Sequence, residues 1–286
     1  MSGTTLNCGD TLNTGNSLQN ITGTIALAGA GKMGGAMLTG WLAGGLDPKR
    51  LVVIEPQPSA EIKALTAKSI RLNPSVQDTG TVDTLVVAVK PQSFREAGAA
   101  LKQFTGSSTL VVSIMAGTTI AAIAEVCGGM VVRAMPNTPA AIGRGITVAV
   151  AAKNVNATQR ATADALLRAT GSVEWVEDEG LMDAVTALSG SGPAYIFLLA
   201  EEMARAGVAA GLPEALATRL ARETVAGSGE LLHRSELAAS TLRQNVTSPG
   251  GTTAAALEVL MAKDGLQPLM IRAIAAATKR SKELAK

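Results

Sequence analysis

The chain has 286 residues, a formal net charge of +2 and 17% charged residues, so no basic stripe points to nucleic acid or to an electrostatic membrane contact. Hydrophobic residues make up 47% but aromatic ones only 2%, which predicts a closely packed interior of Ala, Val, Leu, Ile and Met in a chain long enough for two domains. With two cysteines and a single histidine there is no disulfide framework and no metal site, and the expected partners are small molecules.

Residues 1–23 are rich in Ser, Thr, Asn and Gly and carry no Lys or Arg. They lack the basic region of a signal peptide and read as a flexible polar leader on a cytoplasmic protein. The fold is expected to start at Thr24, where a short apolar run ends in Gly29-Ala30-Gly31-Lys32-Met33-Gly34 and helix-spaced Met37, Leu38, Trp41 and Leu42 follow. In that strand, turn and helix context G-x-G-x-x-G has mechanical meaning: Gly29 for the tight turn, Gly31 for close approach of a pyrophosphate, Gly34 for packing of helix on strand. Leu51–Glu55 reads as a second strand, with Glu55 about 20 residues further on, where an acidic side chain grips the adenosine ribose of a dinucleotide.

Short β-branched runs at Leu85–Val89, Leu110–Ser113, Val131–Met135, Ile146–Val150 and Val173–Val176 predict further strands. Residues 24–177 therefore read as a doubly wound α/β sheet of the Rossmann type, whose loops Val87–Gln92 and Ser113–Gly117 line a cleft at its carboxyl edge. Beyond Asp178 every periodic segment looks helical, so 178–286 is expected to be an all-helical domain. Ser191-Gly-Pro193 starts one helix that ends at Gly211, Pro213 opens another, Ser235 caps a third, Thr252 or Thr253 caps a fourth, and the last begins near Gln267. These helices carry more apolar surface than a small bundle buries alone, which implies a partner subunit.

The segment from Leu242 to Ala256 combines Pro249, Gly250 and Gly251 with the start of a helix. The free N–H groups of that first turn suit a small carboxylate. Conventional catalysts are scarce: His233 sits in a polar stretch at a helix end and reads as a surface residue, and no G-x-S-x-G elbow occurs. The polar groups that remain are Ser248, Thr252, Thr253, Asn137, Thr138 and Ser189, an inventory suited to a reaction whose hard step belongs to a cofactor, such as hydride transfer.

Five motifs in register carry a family resemblance: Gly29–Gly34, Ala88–Pro91, Arg133–Pro139, Leu188–Tyr195 and Asn245–Thr253. Over residues 24 to 286 the chain strongly resembles the pyrroline-5-carboxylate reductases, which make proline. The resemblance implies hydride transfer from NADPH or NADH to a cyclic imine, and a homodimer in which the partner's helices help to form the site. Larger assemblies of dimers also occur in that family. It places cofactor contacts on Gly29, Ala30, Gly31, Lys32, Met33, Gly34, Glu55, Pro56, Gln57, Ala88, Val89, Lys90, Pro91, Ala116 and Asn245, and Ser75 is a further candidate cofactor residue. Substrate contacts fall on Glu179, Ser248, Gly250, Gly251, Thr252 and Thr253, with the Thr253 hydroxyl beside the ring nitrogen as a candidate proton donor. Glu55 departs from the commoner small hydroxyl residue: a carboxylate there bonds the free ribose diol of NADH and repels the 2′-phosphate of NADPH, although Arg71, Ser75 and Lys32 are nearby candidates to receive that phosphate. A β-hydroxyacid dehydrogenase or related imine reductase would share the plan, but the hydroxyacid enzymes want a lysine that Ser189–Ala204 lacks. A non-catalytic dinucleotide sensor would have no use for the second, carboxylate-sized mouth.

Overall fold

The computed structural model describes residues 18–284. The chain divides into two compact units that part between Met182 and Asp183. Residues 1–17 of the expected leader lie outside the described residues.

The first unit is built on one eight-stranded sheet in the order β3-β2-β1-β4-β5-β6-β7-β8. The strands are β1 (Ile25–Ala28), β2 (Leu51–Ile54), β3 (Arg71–Leu72), β4 (Thr84–Val87), β5 (Leu110–Ser113), β6 (Met130–Met135), β7 (Gly145–Ala151) and β8 (Gly171–Trp175). β1 to β6 run parallel, β7 pairs antiparallel to β6, and β8 runs parallel to β7. Every residue of β1, β4 and β5 is buried, which is why those strands read as unbroken apolar runs rather than alternating ones. The two faces separate cleanly by residue parity: Ile25, Leu27 and Val53 join one hydrophobic cluster, while Ala26, Ala28 and Val52 join the other, as the two-residue period of a strand requires. The helix Lys32–Ala43 buries Met37, Leu38 and Trp41. Its Trp41 indole N–H donates to the Leu166 carbonyl at 2.8 Å, tying it to the helix Ala157–Arg168, whose start is closed by a capping box between Asn156 and Gln159.

Two features of this unit differ from the sequence-based expectation. Leu18–Asn20, assigned to the polar leader, form a 3-10 turn with Leu18 buried; a Cβ placed on Gly44 would stand 2.5 Å from the Leu18 Cδ1, so the leucine sits where that glycine leaves room. Thr24 N–H in turn donates to the Asp83 carboxylate at 2.7 Å. The sheet also gains β3, an edge strand of two residues too short to carry a periodic signal.

The second unit, Asp183–Leu284, is helical: Gly192–Ala209, Glu214–Arg234, Ala239–Asn245, Thr252–Leu260 and Leu266–Leu284. Pro193 lies in the first turn of the first of these and Pro213 is the N-cap of the second, in line with their expected starts. A π-helical turn, Thr186–Gly190, precedes them, and its irregular backbone is closed by Tyr195, whose hydroxyl donates to the Ala187 carbonyl at 2.9 Å. Two expected caps are corrected. Ser235 ends the helix Glu214–Arg234 instead of starting the next, which begins after Ala238. Gly251, not Thr252 or Thr253, is the N-cap of Thr252–Leu260, because the turn before it delivers the backbone in extended form one residue earlier. Among the described residues no helix is long and apolar enough to cross a membrane.

Candidate functional site

The strand order reverses between β1 and β4: the chain moves from β1 to β2 and β3 on one side, then crosses back to β4 on the other. The crevice beyond the carboxyl ends of such a pair is where doubly wound sheets bind ligands, and here it is walled by the glycine loop after β1 and by Ala88–Pro91 after β4. Gly29 has φ +90° and donates its N–H to the Ile54 carbonyl at 2.9 Å. A Cβ on it would stand 2.7 Å from the Ala88 carbonyl oxygen, and one on Gly34 would stand 2.1 Å from the Gly29 carbonyl oxygen. Around Gly31 nothing lies within 4 Å of an added Cβ. Two of the three glycines are thus demanded by the packing of the protein on itself, and the middle one leaves open space of the kind a pyrophosphate needs. Gly31 is also the N-cap of Lys32–Ala43, without a side-chain cap and without an acidic residue in the first turn. Lys32, exposed at the first helical position, stands at the positive end of the helix dipole, an unfavourable place for a cation unless an anion is bound there.

Glu55 follows β2 and its carboxylate turns back to this loop. Oε2 accepts from the Ala30 N–H at 2.8 Å and Oε1 from the Gln57 N–H at 3.0 Å. The structure therefore gathers Gly29, Ala30, Gly34, Glu55 and Ala88 at one place. Ala116 lies in the next loop along the edge, after β5, where the Ile114 N–H donates to the Val87 carbonyl at 3.0 Å. Lys90 and Pro91 open the 3-10 turn after β4. Met33 and Val89 pack chiefly on the two hydrophobic clusters, one on each. Ser75 caps the short helix Val76–Thr79, accepting from Asp78 N–H at 3.1 Å and donating to the Asp78 carboxylate at 2.5 Å.

Glu179 is held by partners that sequence reasoning missed. Its Oε1 accepts from the Arg133 guanidinium at 2.8 Å and from the Ile120 N–H at 2.8 Å. Arg133 projects from β6 and is buried; the one available signal was an arginine in the middle of a Val-Val-Arg-Ala strand, since a buried cation requires an anionic partner. Asn73, which bonds both backbone groups of Glu55, was likewise missed.

In the helical unit, Ser248–Gly251 is a turn closed by the Gly251 N–H to the Ser248 carbonyl at 3.0 Å. Pro249 and Gly250 are its central residues, and Gly250 has φ +68°, the arrangement that a proline followed by a glycine favours. The turn feeds directly into Thr252–Leu260, whose first N–H groups have no partner within the helix. Thr253, half-buried, lies in that first turn, and no side chain caps it. Asn245 ends the preceding helix, and Thr247 donates to the Arg243 carbonyl at 2.7 Å to close it.

A glycine-loop sheet of this order, with a carboxylate at the end of β2 and a helical unit following it in the chain, defines a pyridine-nucleotide-dependent oxidoreductase. The family model for NADP oxidoreductase, coenzyme F420-dependent, matches residues 24–117, and that for pyrroline-5-carboxylate reductase dimerisation matches residues 179–284. A pyrroline-5-carboxylate reductase from Synechocystis is 40% identical over 92% of this chain and 98% of its own length, and one from Pseudomonas aeruginosa is 38% identical over 91% and 96%. Among solved structures, the Coxiella burnetii pyrroline-5-carboxylate reductase superposes with a TM-score of 0.85 at 35% identity, covering 93% of this chain and all of that one. The Plasmodium falciparum enzyme, solved with NADP bound, gives 0.75 at 31% identity, covering 94% and 99%. The chain belongs to the pyrroline-5-carboxylate reductase family and carries that family's dimerisation domain.

Proposed function

We propose that the chain reduces pyrroline-5-carboxylate to proline as a cytoplasmic homodimer, or as a larger assembly of such dimers. The observation that carries this reading is the presence of two separate anion mouths, each a glycine turn opening onto a helix N-terminus: Gly29–Gly31 before Lys32–Ala43, and Ser248–Gly251 before Thr252–Leu260. The first suits a pyrophosphate and the second a carboxylate. A bound nicotinamide nucleotide supplies the hydride. The amides behind Gly250 and Gly251 hold the substrate carboxylate and so orient the imine, while the Thr253 hydroxyl donates or relays the proton to the ring nitrogen. Asn245 and the loops at Ala88–Pro91 and Ala116 serve the nucleotide, and Glu179, fixed by Arg133, shapes the substrate end.

Glu55 supports NADH as the preferred coenzyme over the family default NADPH. A carboxylate already anchored against the glycine loop offers its remaining lone pairs to a ribose diol and opposes a 2′-phosphate.

The test is the loss of reduced nicotinamide absorbance on adding pyrroline-5-carboxylate, with and without a chelator. The expected result is turnover unaffected by the chelator, with kcat/KM higher for NADH than for NADPH. Thr253→Ala is expected to lower kcat by about tenfold to a thousandfold with little change in KM, the pattern of an interaction made in the transition state. An unchanged kcat would reduce Thr253 to a helix residue, and a strong preference of the native enzyme for NADPH would refute the reading of Glu55.

A further inference from the structure

β3 ends at Leu72 after two residues, and the chain leaves the sheet at Asn73 with φ +49°, a left-handed conformation that asparagine tolerates better than most side chains. Pro74 follows and has no N–H to continue the ladder. The pairing with β2 nevertheless goes on for two more residues. The Asn73 N–H donates to the Val53 carbonyl at 2.8 Å. Then the side-chain amide takes over from the departed backbone: its Oδ1 accepts from the Glu55 N–H at 2.8 Å, and its Nδ2 donates to the Glu55 carbonyl at 2.9 Å. A single planar amide thus occupies both main-chain groups of one residue. Asparagine is the shortest side chain that carries a donor and an acceptor side by side, which neither Asp nor Ser can do in that geometry.

The residue gripped in this way is the one whose carboxylate lies on the glycine loop. Glu55 is fixed at three points: at its backbone by Asn73, at Oε2 by the Ala30 N–H, and at Oε1 by the Gln57 N–H. The first of these governs the others, because the direction in which the side chain leaves β2 depends on the backbone at its end.

We propose that Asn73 is a positioning residue for coenzyme choice: it locks the end of β2 so that the Glu55 carboxylate is presented to the adenosine ribose, without itself touching the nucleotide. The proposal rests on the reading of Glu55 given above. With the lock removed, the carboxylate is free to swing into water. The ribose diol of NADH then loses its partner and the 2′-phosphate of NADPH loses its opponent, so discrimination falls from both sides. Asn73 is exposed, so water competes for its bonds and the effect is a modest one.

The experiment is calorimetric titration of NADH and NADPH against the wild-type protein, Asn73→Gly, Glu55→Ser and the double variant. Glycine keeps the left-handed backbone and removes only the amide. The quantity read is the ratio of the two dissociation constants, Kd for NADPH over Kd for NADH, which is internal to each protein and insensitive to a shared loss of stability. Asn73→Gly is expected to lower that ratio by about threefold to tenfold, the usual range of coupling between contacting residues. In the Glu55→Ser background the same change is expected to move it by less than about twofold. If Glu55→Ser shifts the ratio but Asn73→Gly does not, the lock is refuted while the Glu55 reading stands. A Glu55→Ser protein with the wild-type ratio refutes that reading and the proposal with it. Equal shifts in both backgrounds would mean that Asn73 acts on the nucleotide directly, and would also overturn positioning. Should Asn73→Gly not fold, Asn73→Ala removes the same amide and is judged by the same ratio.

Discussion

In the sheet unit many of the large apolar side chains, among them Ile25, Leu27, Leu38 and Trp41, are wholly buried, whereas in the helical unit Phe197 is 64% exposed and Leu198, Leu231, Val259 and Ile271 are exposed as well. Among the described residues of the second unit only Ala187, Ala217, Ala221 and Ser281 are buried. The difference is one of what each unit needs. The sheet closes both of its faces with helices of its own chain, while the helices present apolar surface that a solitary soluble chain does not leave in water. A dimerisation domain accounts for that surface, and the contrast separates two kinds of stability: one intrinsic to the chain, the other dependent on its concentration.

The largest effect is therefore expected from a charge on the helical face. Phe197→Asp places an unpaired carboxylate where a partner's apolar surface belongs, and removal of that charge from water is costly. The variant is expected to run as a monomer in light-scattering chromatography, to lose nearly all reductase activity, and to keep nucleotide binding in the sheet unit. The wild-type protein should show a Tm that rises with concentration. A Phe197→Asp protein that remains dimeric and active would show that this face is not the contact.

A smaller effect, confined to the sheet unit, distinguishes glycines kept for the fold from one kept for the ligand. In Gly34→Ala the added methyl meets the Gly29 carbonyl oxygen at 2.1 Å, and overpacking of this kind costs about 1–3 kcal/mol. Gly31→Ala meets nothing and is expected to change stability by no more than about 0.5 kcal/mol, yet to weaken nucleotide binding by about tenfold, the scale of one lost hydrogen bond to a charged group. Thermal melts and titrations on both variants provide the check. If Gly31→Ala melts low as well, its openness is not reserved for a ligand.

The same contrast governs what could be read from the sequence. The glycine loop was legible because its geometry is local: strand, turn and helix lie within about twenty residues, and each glycine has a mechanical reason. The fully buried strands were legible for a similar reason, since burial on both faces leaves unbroken apolar runs. What escaped depends on pairings between distant residues. Glu179 meets Arg133 across 46 positions and the Ile120 N–H across 59, and Glu55 meets Ala30 across 25. No periodicity encodes such meetings. The two-residue β3 and the π-helical turn at Thr186–Gly190 are too short to produce a pattern, and Leu18 lies in a stretch whose composition is mostly polar. Ser235 shows the opposite failure: the residue type was right for an N-cap, but the chain used it to end a helix.

The smallest predicted effect tests how closed the sheet core is. Cys127 ends the helix Ile120–Cys127 and is wholly buried. Burial pushes its thiol from 9.0 up to about 11, against a weaker downward pull from Lys102. The unfolded chain releases this proton near the ordinary value, while the folded protein holds it until about pH 11. Between those limits the folded state binds the extra proton, so its stability is unaffected below about pH 9 and falls as the pH rises toward 11. Denaturant titrations at pH 8, 9, 10 and 10.5 are expected to show that decline in the wild-type protein and a shallower one in Cys127→Ala, with the two proteins close together at pH 8. In the native state the thiol should also react only slowly with alkylating reagents, because it is both protonated and enclosed. Parallel stability curves for the two proteins, or rapid alkylation under native conditions, would show that solvent reaches this side of the sheet and that its core is less sealed than the burial of Val111, Ile123 and Val131 around it implies.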